Sequence, residues 1–84
     1  MSLRLQWAKH PLDQLGVLLT EDPDLAQHLI DLCLSLASDP QPPMAGATGV
    51  AGLLAITDGD WCVIYAADAR ADTVRILRID RIAP

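Results

Sequence analysis

The chain has 84 residues and a formal net charge of −5; 51% of it is apolar and only 4% aromatic. That length fits one domain, and folding would bury about 60% of the surface the unfolded chain exposes, a small core but a sufficient one. The apolar content excludes a disordered chain, and the acidic balance excludes a general nucleic-acid binder, because phosphate attraction needs excess Lys and Arg.

The charge is unevenly spread. Residues 1–60 carry two basic side chains, Arg4 and Lys9, against eight acidic ones, whereas residues 61–84 carry Arg70, Arg75, Arg78 and Arg81 against Asp68, Asp72 and Asp80. The end of the chain can therefore present a local basic patch on an acidic body. Solvated arginines on an exposed strand face are the plainer reading of the same pattern.

In chain order, Leu3, Leu5 and Trp7 alternate with Arg4 and Gln6, a short period-two strand with one apolar face. His10-Pro11 ends it, and Pro11 suits the first turn of a helix. From there Leu12, Leu15 and Leu19 fall on one helical stripe. Asp22 reads as the N-cap of a second helix with Pro23 at its first position. Leu25, Leu29, Leu32 and Leu36 form its tight stripe, and Ala26, Ile30, Cys33, Leu34 and Ala37 widen the apolar surface beyond one contact. The surplus, Ile30 and Leu34, is expected to meet the first helix or another chain, and another chain is the favoured expectation.

Pro40, Pro42 and Pro43 stop the second helix. Met44–Gly49 reads as a loop and Val50–Thr57 as a strand, joined through the turn Asp58-Gly59-Asp60 to the run that starts at Trp61. Trp61–Asp80 holds two runs rich in Val, Ile and Tyr around the polar break Asp68–Asp72, a β-hairpin. The expected order is strand, helix, helix, strand, strand, strand: an α+β domain over residues 1–84, an antiparallel sheet with a helical hairpin on one face.

Cys33 and Cys62 sit among apolar neighbours without ligand spacing and read as buried free thiols. Asp24, His28 and Asp31 share one helical face but make an incomplete metal-ligand set. Gly46, Gly49 and Gly52 lack the lysine of a phosphate loop, and His10 has no partner identifiable from sequence. No cofactor is expected. With no apolar signal region near the N-terminus, a cytoplasmic protein is expected.

The element order, with Gly59, Asp60, Trp61, Val63, Ile64 and Tyr65 and then Val74, Ile76, Leu77, Arg78 and Ile79, resembles the RelE/ParE superfamily of toxins from bacterial type II toxin–antitoxin modules. The resemblance covers nearly the whole chain. It implies the β-α-α-β-β-β plan, a growth-inhibiting toxin and a cognate antitoxin that neutralises it; a second copy in a two-fold dimer would also fit. RelE-type members cleave messenger RNA on the ribosome with cations and donors around the scissile phosphate, and ParE-type members act on DNA gyrase. By resemblance Arg81 falls near the basic position after the last strand, with Arg75 and Arg78 as substrate contacts. The basic set is depleted: Leu53 and Ala55 stand where RelE carries basic residues, Cys62 replaces the motif arginine, and no tyrosine follows Arg81 before Pro84. An arginine, with a pKa above about 12, is a poor general base. Cleavage is therefore expected to be weak or absent. A non-catalytic protein-interaction module on the same scaffold is the alternative.

Overall fold

The computed structural model describes residues 3–68 and 70–82. In chain order they form β1 (Arg4–Trp7), α1 (Lys9–Glu21), α2 (Pro23–Ser38), β2 (Gly46–Ala47), β3 (Leu53–Asp58), β4 (Trp61–Asp68) and β5 (Thr73–Arg81). The five strands make one sheet in the order β1-β5-β4-β3-β2, and the two helices cover one face of it. The α+β plan with a helical hairpin on the sheet is thus as expected. None of these helices is long and apolar enough to cross a membrane.

Two differences follow from long-range pairing. The sheet is antiparallel except at its edge, where β1 runs parallel to β5. The segment expected as a plain loop contributes β2, two residues that pair with Leu54 and Ala55. The two strong hairpins form where expected. Gly59, at φ 59°, takes the left-handed position of the two-residue β3–β4 turn. In the β4–β5 connection Asp68 Oδ1 accepts the backbone N–H groups of Arg70 and Ala71 at 3.0 and 3.2 Å. Ala69, within that expected break, lies outside the described residues.

Asp22 caps α2 as its sequence implies, accepting from the Leu25 N–H at 3.2 Å, with Pro23 following. The buried stripes sit slightly round from the expected ones. On α1 the inward residues are Pro11, Leu15 and Leu18, not Leu12, Leu15 and Leu19; Leu12 and Leu19 are half in solvent. Both triplets keep helical spacing through Leu15, and contact with β5 and α2 selects the first. On α2 the fully buried residues are Ala26, Leu29, Cys33 and Leu36, with Leu25 and Leu32 partly covered. They meet Ile56, Val63, Tyr65, Val74, Ile76 and Ile79 of the sheet in one core. Cys33 is a buried free thiol, but Cys62 is only half-buried because it lies on the sheet's other face. Tyr65 is fully buried, and its hydroxyl donates to the Pro40 carbonyl at 2.6 Å, fastening the loop after α2 to the sheet.

Candidate functional site on the open sheet face

β5 alternates inward and outward residues until Leu77, where the register breaks. Tyr65 pairs with Ile76 but Ile64 pairs with Arg78, which leaves Leu77 as a bulge with no partner on β4. The extra residue resets the alternation. Val74, Ile76 and Ile79 all enter the core, while Arg75 and Arg78 both fall on the face that the helices leave open. In an unbulged strand, residues three apart point to opposite faces. The signal was present in the sequence: apolar residues at 74, 76 and 79 depart from period two at the bulge.

Register places Cys62, Ile64 and Ala66 of β4, Leu53, Ala55 and Thr57 of β3, and Arg4 and Gln6 of β1 on the same open face. It is a central apolar strip flanked on the β5–β1 side by guanidinium groups. Arg78 is committed to Asp80, with Nε donating to Oδ2 at 2.9 Å. Among the described residues Arg75 and Arg4 make no ion pair. At the rim, the His10 Nε2 lies 3.9 Å from Asp80 Oδ1, so α1 brings the imidazole near a carboxylate seventy residues away in sequence, a neighbour that local reasoning could not supply.

Arg81 is separated from this pair. It pairs across from Trp61, two residues beyond the core pair Val63–Ile79, and lines a cleft on the helix side of the sheet. Arg75 and Arg78 therefore share a face, and Arg81 does not join them. Leu34 is 51% exposed on the outside of α2, whereas Ile30 is half-buried and packs on the core. His28 bonds to Asp58 at 2.5 Å, and Asp31 accepts from Gln27 at 2.9 Å, so two of the three residues Asp24, His28 and Asp31 are engaged in side-chain pairs.

The open face can hold an anion: of its three guanidiniums, those of Arg4 and Arg75 make no ion pair among the described residues and stand beside an apolar floor. It is poorly furnished for proton transfer. No strand carries Lys or His, and the one strand tyrosine, Tyr65, points into the core. Burial, and then the Asp80 charge, push the Cys62 thiol up from its usual range, which keeps it protonated and a weak nucleophile.

No protein-family model matches the sequence, and no curated protein does. Solved structures do. The structure of the toxin–antitoxin complex RelBE2 from Mycobacterium tuberculosis superposes with a TM-score of 0.80 over 96% of this chain and 99% of that one, at 19% identity. The isolated RelE toxin of E. coli gives a TM-score of 0.83 over 99% of this chain and 87% of that one, at 10% identity. The chain has the RelE fold. A free-state double arginine-to-alanine mutant of E. coli RelE matches as well, with a TM-score of 0.79 over 96% of this chain and 84% of that one, at 12% identity. At such low identity the agreement is one of fold.

Proposed function

We propose that the chain is the toxin component of a type II toxin–antitoxin module, cytoplasmic and neutralised by a cognate antitoxin, with weak or absent RNA cleavage. One observation carries the reading: the RelE fold extends over nearly all of this chain and over nearly all of a chain in a toxin–antitoxin complex. The depleted open face supports weak chemistry. It offers Arg75 for a phosphate, with Arg78 already held by Asp80, and its strands carry no lysine or histidine and only the inward-facing Tyr65 to take a proton. Losing one charged contact to a transition state commonly costs about 10²–10³ in rate.

The test is induced expression in a bacterial host, with and without the neighbouring gene's product, beside a ribosome-dependent cleavage assay. Growth arrest relieved by that product, with cleavage far below that of an active RelE-type enzyme, is the expected result. Arrest with intact messenger RNA would direct attention to DNA gyrase. Arg75→Ala and Arg78→Ala should weaken any residual cleavage. Arg81→Ala separates two assignments: a catalytic Arg81 makes the change abolish cleavage, and an Arg81 that serves only the helix-side cleft leaves it unchanged. The apolar flank of α2 at Leu34, with the half-buried Ile30 at its inner edge, is the proposed antitoxin contact.

The absence of lysine and histidine from the open face's strands also favours a second reading, a non-catalytic interaction module on this scaffold. Capture of the neighbouring gene's product without any growth arrest is its signature.

A further inference from the structure

On the helix side of the sheet, the α1–α2 junction and the β3–β4 turn enclose a cleft of about 650 Å³. Its floor is apolar, formed by Leu18, Leu25 and Trp61. Its rim carries four carboxylates, Glu21, Asp22, Asp58 and Asp60, against the single guanidinium of Arg81. Two of the four are engaged within the protein: Asp22 caps α2, and Asp58 takes the His28 imidazole at 2.5 Å, which ties α2 to the end of β3. The other two, Glu21 and Asp60, are exposed and make no ion pair among the described residues.

We propose that this cleft seats a basic peptide segment of the chain's protein partner, with Lys or Arg side chains alternating with apolar ones. Charge complementarity selects the occupant. The first 60 residues carry eight acidic side chains against two basic ones, and this cleft gathers four of the eight. An acidic segment would meet like charge from both walls. The apolar floor selects a peptide over a bare cation, because a long basic side chain lays its aliphatic stem along Leu25 and Trp61 while its charge reaches Glu21 or Asp60. The half-buried Trp61 ring adds the attraction of an aromatic face for a cation. The cleft lies in the usual size range of sites that enclose a small ligand, roughly 300–1,000 Å³, so it holds a few side chains of an extended segment. The proposal deepens the partner reading above and rests on it only for who the partner is.

The experiment titrates the full chain, isotopically labelled, with the capped peptide Leu-Arg-Leu-Arg-Leu-Arg and separately with Leu-Glu-Leu-Glu-Leu-Glu, reading assigned NMR shifts. The expected result is a saturable shift of the Trp61 indole N–H and of the backbone around Glu21–Leu25 and Asp58–Trp61 with the arginine peptide alone. Raising salt from about 20 to about 300 mM should weaken it several-fold. The double variant Glu21→Gln, Asp60→Asn removes two exposed charges and leaves the fold in place, and it should bind about ten-fold more weakly. Shifts on the open sheet face instead, equal binding of the glutamate peptide, or an unchanged affinity in the double variant would each overturn the proposal. A chain that proves non-toxic yet shows these shifts loses the toxin reading and keeps the cleft; a toxic chain without them loses only the cleft.

Discussion

Cys33 shows how much a single buried group can matter in so small a core. It has no solvent exposure, and burial pushes its thiol from 9.0 up to about 12. Between those values the folded chain keeps a proton that the unfolded chain gives up, so stability is full below about pH 9 and falls as pH rises toward 12. The loss across that window is on the order of 4 kcal/mol. Urea unfolding of the wild type should therefore show a midpoint that drops steeply above pH 9. Cys33→Ala should start lower at pH 8, from lost packing, but decline with a shallower slope; identical slopes would mean the thiolate is tolerated in the core. Tyr65, also raised by burial and then by nearby Asp39, acts in the same direction and keeps part of the slope in the variant.

At the scale of an element, α1 carries a correctable weakness. Gly16 lies in the middle of the helix on its exposed side, and a Cβ built there meets nothing within 4 Å. Alanine at such a site stabilises a helix by about 1 kcal/mol, through the lower entropy of the unfolded chain. In a domain of this size that is a rise of roughly 4–8 °C in melting temperature. A thermal melt of Gly16→Ala that fails to rise would mean the outer face of α1 needs the glycine for a contact. β5 is the opposite case, an element whose irregularity has a use. Its bulge at Leu77 is what sets Arg75 and Arg78 side by side and keeps Ile79 in the core.

For the whole molecule, the question is which apolar surface is spare. Leu34 is 51% exposed, so Leu34→Asp should leave the isolated chain's melting temperature nearly unchanged, within about 0.5 kcal/mol. If the outer flank of α2 is the partner contact, association is lost all the same. Ile30 packs against the core, and Ile30→Asp would place a carboxylate there at a cost of several kcal/mol, on the order of 3. Measuring both variants by melting and by partner binding separates contact from core. A Leu34→Asp chain that binds its partner at wild-type affinity would remove α2's outer flank from the interface.

The sequence by itself determined both helices, the four longer strands and most of their punctuation, but not the two-residue β2. Pro23 and the prolines after Asp39 bound α2 because proline fixes φ and cannot donate. Pro11 marks the first turn of α1 although the helix starts two residues earlier at Lys9, and Gly59 marks the tight hairpin because the turn needs a positive φ. It also determined which residues share a face within a regular stretch, since helical and strand periods are local, but not across the β5 bulge. It did not determine which face meets the core. The stripes 11-15-18 and 12-15-19 are equally good helices, and only docking on β5 and α2 chose between them. The parallel seating of β1 on β5 joins segments more than sixty residues apart, so no local signal encodes it. The same holds for the candidate sites. Arg75, Arg78 and Arg81 lie evenly three apart in sequence, yet a bulge and a register place two on the open face and send the third to the cleft. That division belongs to the tertiary structure, because a strand's side chains acquire an inside and an outside only when something packs on one of its faces.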